Sequence, residues 1–145
     1  MDKELIYLAG LFDGEGYCGI ERRRPSTYRR WGYQLRCSVT MTDPRPLEIF
    51  HSRFGGSFMK LTRKRGKDCW QWSITSNKAL AFLNEVKDYL IVKDKVALIG
   101  EKFQSKRSFR KVSRSSDEEY VEETKLYEEM RKANARWGTE YYQGS

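Results

Sequence analysis

Two apolar periods alternate along this chain, and their order outlines an architecture. Tyr33, Leu35, Cys37, Val39 and Met41 alternate with Gln34, Arg36, Ser38 and Thr40, the period-two pattern of a strand with one apolar and one polar face. Trp70, Trp72 and Ile74 repeat that pattern against Gln71, Ser73 and Thr75. Between them Leu47, Ile49, Phe50 and Phe54 mark a helix, and further on Ala79, Phe82, Leu83, Val86 and Leu90 fall at helical spacing. Around these anchors, residues 3–15 read as a helix, 17–24 and 57–64 as the opening strands of two hairpins, and 93–103 as another helix. A final amphipathic helix carries Tyr120, Tyr127, Met130 and Trp137.

Local punctuation supports this order. Asp43-Pro44 predicts an N-cap followed by proline at the first helical position, and Gly55-Gly56 ends that helix. Arg65-Gly66-Lys67 joins strands 57–64 and 68–75. Ser76 is a candidate cap, and Ser116-Asp117-Glu118-Glu119 is a capping box. Residues 25–31 form a basic, turn-rich connection, 102–114 read as a basic irregular linker, and the chain beyond 138 as a loose end. The result is an α+β fold in the order α-β-β-α-β-β-α, with a four-stranded antiparallel sheet, helices on one face and extra C-terminal helices. The 145 residues suffice for one domain, with 1–104 as its core and 105–145 as a basic linker and helix packed on it.

Composition then narrows the function. A formal net charge of +8 points to a polyanionic partner, nucleic acid first. Membrane insertion is not expected, because no run of about 18 apolar residues occurs, and residues 1–4 lack a signal-peptide pattern, so the expected location is intracellular. Cys18, Cys37 and Cys69 are too few and too scattered for a disulfide framework or zinc site, and read as reduced buried thiols. His51 is the only histidine, which rules out centres needing a histidine base together with histidine ligands. No Walker or Rossmann glycine pattern is present. Glu85-x-Lys87 is similar to part of a restriction-type nuclease centre, but it lies in a helical pattern and reads as an exposed face.

The residues with the most unusual chemistry are Leu8-Ala9-Gly10-Leu11-Phe12-Asp13-Gly14-Glu15-Gly16. A glycine inside a helix costs about 0.8–1 kcal/mol relative to alanine. Gly10 and Gly14 share one face, and a bare face lets another helix backbone approach closely. Glu15 then sits at the negative end of the helix dipole, a conflict that a nearby cation relieves, and Gly16 supplies a residue for the turn. Two such helices in contact bring two carboxylates together.

This stretch resembles the LAGLIDADG motif of homing endonucleases, with Phe12, Gly14 and Glu15 standing where the motif has Ile, Ala and Asp. The resemblance spans residues 3–104 and implies a homodimeric, sequence-specific endonuclease that cuts double-stranded DNA across the minor groove of a long pseudo-palindromic site. It implies Mg²⁺ as cofactor, with Mn²⁺ as a substitute and Ca²⁺ supporting binding without cleavage. Glu15 and the Gly16 carbonyl match the metal-binding positions, and Leu8, Gly10, Leu11, Asp13 and Gly14 the dimer interface, with Asp13 capping or orienting. Lys93 matches a lysine near the attacking water, and Arg45 another basic residue of the site. Met41 stands where relatives often carry a polar group such as glutamine, which leaves the water-orienting role open to Thr42 or Asp43.

The polar sheet face is expected to show Glu21, Arg23, Gln34, Arg36, Ser38, Lys60, Thr62, Gln71 and Ser73. Arginine, lysine and glutamine make bidentate contacts to purine edges, and a glutamate accepts from cytosine. Arg22, Arg23, Arg24, Arg29, Arg30, Lys64, Arg65 and Lys67 are candidate phosphate contacts at the edges. Two rivals share these features: an RNA-binding maturase that splices intron RNA, and a catalytically silent DNA-binding regulator.

Overall fold

The computed structural model describes residues 1–24, 32–109 and 115–136. Helix α1 (Lys3–Glu15) leads into the hairpin β1 (Gly16–Arg23) and β2 (Gly32–Met41). Helix α2 (Arg45–Phe54) precedes the second hairpin, β3 (Ser57–Leu61) and β4 (Cys69–Thr75), and α3 (Ser76–Val86) follows. A 3₁₀ turn (Lys87–Tyr89) connects to α4 (Asp94–Ser108), and α5 (Asp117–Arg136) ends the described chain. The strands form one antiparallel sheet in the order β1-β2-β4-β3, so the two hairpins meet through β2 and β4. The expected α+β architecture is therefore present.

The sheet buries one face because its apolar residues alternate in phase across strands. Cys18, Ile20, Leu35, Cys37, Val39, Trp72 and Ile74 are buried, and the register aligns Cys18 with Cys37, Ile20 with Leu35 and Val39 with Trp72. Trp72 anchors the core. It stacks on Phe50 at 4.6 Å, meets Phe82 edge-on at 5.3 Å, and donates its indole N–H to the Gly55 carbonyl at 2.8 Å. Phe12 meets Phe82 edge-on at 4.9 Å, joining α1 to α3. An indole that both packs and satisfies its donor suits a dry site.

Helix α5 covers the outer strand. Tyr33 lies 5.2 Å from the Tyr127 ring and shares a 3.0 Å hydrogen bond with Thr124. The Asn134 amide donates to the Cys18 carbonyl at 3.1 Å, which occupies one of the backbone acceptors that an edge strand leaves open. The Ser116 capping box forms as expected, with Ser116 N–H donating to Glu119 and Glu119 N–H to the serine hydroxyl.

Several boundaries differ from the sequence reading. The stretch Lys102–Ser108 is helical rather than an irregular linker, because lysine, arginine and glutamine are good helix formers and Lys106 and Arg107 complement the C-terminal dipole. Strand β3 stops at Leu61 rather than 64. Pro44, not Asp43, holds the cap position of α2, although the Asp43 carboxylate still accepts from the Arg45 N–H at 3.0 Å. Ser76 is the first residue of α3, not its cap. Helix α3 also stops before Leu90, which is buried after the 3₁₀ turn. Trp137 and the connection 25–31 lie outside the described residues.

Candidate active site and nucleic-acid interface

Helix α1 ends where strand β1 begins, and Glu15 is the exposed last residue of the helix. Gly16 has an ordinary extended backbone, φ −87° and ψ 176°, so it does not use glycine's freedom of dihedral angle for the turn. Glycine is required there for a different reason. A Cβ at Gly16 would sit 2.3 Å from the Phe12 ring and 2.7 Å from the Phe12 carbonyl, so the chain passes too close for any side chain.

Asp13 is the structural hinge of this corner. Its carboxylate accepts from the backbone N–H groups of Ile91, Val92 and Lys93 at 2.9–3.1 Å, while the Lys93 ammonium donates to the Asp13 carbonyl at 2.8 Å. The helix end thus loses one orphan carbonyl, and a segment almost eighty residues away is held against it. Burial pushes the Asp13 carboxyl up, but the three N–H groups and the Lys93 charge outweigh it and leave Asp13 below its ordinary value. Burial lowers Lys93, opposed by the negative charges of Asp13 and Glu15 and by Cys18. Glu15 therefore lies within electrostatic reach of a half-buried lysine whose position Asp13 sets.

Asp13→Asn should cost about 2 kcal/mol. The part-buried Lys93 N–H loses a charged acceptor, whereas water replaces it at exposed Ile91 and Val92, and the Lys93 ammonium keeps its bond to the main-chain carbonyl. Because the folded carboxyl titrates below the unfolded value of 3.8, its contribution is complete above that value and is lost as pH falls through the folded one. Thermal melts of both proteins should differ most near pH 7 and converge in acid.

The outer face of α1 is open. An added Cβ at Gly10 or Gly14 would meet nothing within 4 Å. Beside them Ile6 and Tyr7 are 37% and 51% exposed, and Ile91 and Val92, tied to Asp13, are 82% and 55% exposed. Two residues expected on this face lie elsewhere. Leu8 is fully buried in the core, because it stands on the opposite arc of the helix with Phe12. Asp13 is occupied within its own chain, and Leu11 is half-buried. The face consists of Ile6, Tyr7, Gly10 and Gly14, extended by Ile91 and Val92. Helical phase would have found the first two; the last two are placed by tertiary structure.

Arg45 stands at the same end of the sheet, since Gly16 aligns with Val39 and β2 runs on to Met41. Its guanidinium is 84% exposed and forks onto both Asp43 oxygens at 2.6–3.1 Å. That pairing brings Asp43 down to about 2. Asp43 is thereby engaged, whereas Thr42 is exposed.

The sheet face away from the helices carries polar side chains bonded to one another across the strands. The Arg23 guanidinium donates to Gln34 at 2.5 Å. Arg36 donates to Glu21 at 2.9 Å and to Gln71 at 3.1 Å, and the Gln71 amide donates to Thr40 at 3.1 Å. Ser38 and Ser73 are register partners on the same face. Tyr17 lies across this face too, since a Cβ at Gly19 would meet its hydroxyl at 2.0 Å. Lys60 does not belong here. It aligns with Trp70, packs 5.9 Å from that ring on the helix side, and pairs with Asp68 at 3.5 Å. Thr62 lies beyond the strand. The alternation was ambiguous because β3 carries apolar residues at both parities, and a one-residue shift exchanges the faces. Arg24, Lys64, Arg65 and Lys67 are exposed at strand ends and turn, whereas Arg29 and Arg30 lie outside the described residues.

Among the described residues, no three His, Cys, Asp or Glu side chains cluster as a metal site. Among the described residues at this corner, one chain offers the carboxylate of Glu15 with the adjoining backbone carbonyls. An all-oxygen set of so few protein ligands fits a hard ion that keeps most of its waters, such as Mg²⁺. His51 is exposed beside Phe58 at 6.0 Å, remote in the fold from this corner. Glu85 ends up 3.9 Å from Arg53, and Lys87 pairs with Glu101 at 2.9 Å, so the two form no nuclease centre together.

No protein-family model matches the chain, and no curated protein matches it by sequence. Solved structures do match in shape. I-Vdi141I, an archaeal intron-encoded homing endonuclease complexed with DNA, aligns with a TM-score of 0.77 at 18% identity, covering 91% of this chain and 84% of that one. I-CvuI, a homing endonuclease in complex with its target in the presence of Ca, aligns at 0.72 and 17% identity, covering 90% and 81%. The LAGLIDADG homing endonuclease I-GzeII, in complex with a DNA target, aligns at 0.64 and 19% identity, covering 88% of this chain and 43% of the longer protein. These matches in shape show that the chain has the fold of the LAGLIDADG homing endonucleases.

Proposed function

We propose that this protein is a homodimeric, Mg²⁺-dependent endonuclease acting on a long, pseudo-palindromic double-stranded DNA site. The observation that carries this reading is the conjunction at the end of α1. An exposed Glu15 lies beside a glycine face with nothing on it, and within electrostatic reach of a lysine clamped by Asp13. Two chains meeting at Gly10 and Gly14 bring two Glu15 carboxylates to the symmetry axis, and a closed two-fold dimer fits a pseudo-palindrome. Ile91 and Val92 extend the contact with apolar surface that one chain leaves exposed.

Glu15 and the Gly16 carbonyl would hold the ion, which supplies water activation and charge stabilisation at the scissile phosphate. Lys93, made less basic by burial, holds a proton that it gives up more readily than a surface lysine, next to the reacting phosphate. Arg45 adds positive charge. The polar sheet face reads base edges, while Arg23, Arg24, Lys64, Arg65 and Lys67 hold phosphates; Mn²⁺ would replace Mg²⁺, and Ca²⁺ would support binding only.

The test is selection of cleaved sites from a randomised duplex library with Mg²⁺, Ca²⁺ or EDTA, alongside light scattering of protein alone and on DNA. The expected result is two-fold symmetric sites cut only with Mg²⁺, bound by two chains. Bound but uncut sites in Mg²⁺ would leave a DNA-binding regulator. Intron RNA binding that survives Glu15→Gln, without DNA cleavage, would mark a maturase.

A further inference from the structure

The open sheet face is not uniformly polar. Its β1–β2 half carries Glu21, Arg23, Gln34 and Arg36, but its β3 border is apolar. Met59 aligns with Gln71 and Leu61 with Cys69, so both stand on the face opposite Trp70 and Trp72. Met59 is 49% exposed and Leu61 half-buried. Unbranched, exposed methionine on a sheet face that otherwise carries charge is an expensive way to fill a surface position, since its hydration cost is relieved only by contact. The neighbouring turn supplies Arg63, Lys64, Arg65 and Lys67, all exposed, so whatever covers the apolar pair brings negative charge with it. Duplex DNA combines the two features. The thymine 5-methyl is the apolar group of the major groove, flanked by phosphates.

We infer that Met59 and Leu61 read the 5-methyl group of thymine, within the DNA-binding reading proposed above on which this inference rests. The register also gives a location. Met59 lies in the row Thr40–Gln71–Met59, one step beyond the row that contains Gly16, toward the end of the sheet where Glu15 stands. Thymine is therefore read at inner positions of each half-site, nearer the symmetry axis than the bases facing Arg23 and Gln34. Recognition divides along the sheet: hydrogen-bonding side chains outside, methyl contacts inside.

The experiment uses the full chain and sites selected from two randomised duplex libraries, one containing thymine and one with uracil throughout. In the thymine library the wild-type protein should enrich thymine at one or two inner positions per half-site, and the enrichment should vanish with uracil. Replacing that thymine by uracil in a selected site removes one methyl and should weaken binding about fourfold, the value for one buried methyl-sized group. Met59→Ala should make binding indifferent to that exchange. Met59→Gln, of equal length and on an exposed position, should move the preference toward adenine through a bidentate amide contact. 5-Methylcytosine should bind better than cytosine at the same place.

Two failures are distinguishable. If no position is methyl-dependent while Arg36→Ala still alters base preference elsewhere in the site, the sheet reads DNA and the assignment to Met59 and Leu61 is wrong. If the wild-type protein selects no duplex at all, the DNA-binding reading falls and takes this inference with it.

Discussion

Glu15→Gln should abolish cleavage while leaving DNA binding within about twofold. The substitution keeps the shape of an exposed helix-end residue, so the fold has no reason to change. Among the described residues it removes the carboxylate at the corner that is not already bonded within its own chain, since Asp13 is engaged by three N–H groups and Asp43 by Arg45. A neutral amide holds a hard divalent ion far more weakly, and several kcal/mol of transition-state stabilisation go with it. The expected loss is on the order of 10³-fold or more in single-turnover rate, read on a selected site at saturating protein. Binding measured in Ca²⁺ or EDTA separates chemistry from affinity. A variant that still cuts at a tenth of the wild-type rate would remove Glu15 from the mechanism.

Gly10→Leu together with Gly14→Leu should split the dimer without unfolding the monomer. The two positions face empty space in the single chain, so larger side chains fit there. Replacing helix-interior glycine also favours the helix by roughly 0.8–1 kcal/mol at each site, so the separated chain should stay folded. In a closely packed helix pair the same side chains are forced into the contact from both partners, at about 1–3 kcal/mol for each overpacked site. Four such clashes per dimer give an affinity loss on the order of 10³-fold or more. Sedimentation should show monomers, and double-strand cleavage should fail with each Glu15 intact. An interface elsewhere would instead give a dimer as tight as wild type. A folded chain that no longer associates is an outcome that a purely structural role for the glycines does not produce.

Much of this arrangement was legible in the chain. The alternation around Leu35–Val39 and Trp70–Ile74 identified the sheet and its buried face, because burial on one side of a pleat leaves a period of two that no other element produces. The glycine pair and terminal acid of α1 were legible because glycine inside a helix has a cost that needs an explanation. The β3 register was not legible. Phe58, Met59, Lys60 and Leu61 offer apolar residues at both parities, so local pattern could not choose a face, and pairing with β4 did. The burial of Leu8 and the engagement of Asp13 were hidden for a related reason. Membership in a motif does not say which arc of the helix meets the core, and the partners of Asp13 lie at Ile91–Lys93, far along the chain.

By itself, then, the sequence determined the elements, the apolar face of the sheet and the acid at the end of a glycine-notched helix, since each follows from the spacing of neighbouring residues. Only the tertiary structure decided what surrounds that acid: that Asp13 is spent on holding Lys93, that Gly10 and Gly14 look outward, that Ile91 and Val92 lie beside them, and that Met59 rather than Lys60 faces outward from the sheet. Those facts depend on contacts between residues distant in the chain. Their energies come from strand pairing and long-range hydrogen bonds, which leave no periodic trace in the order of amino acids.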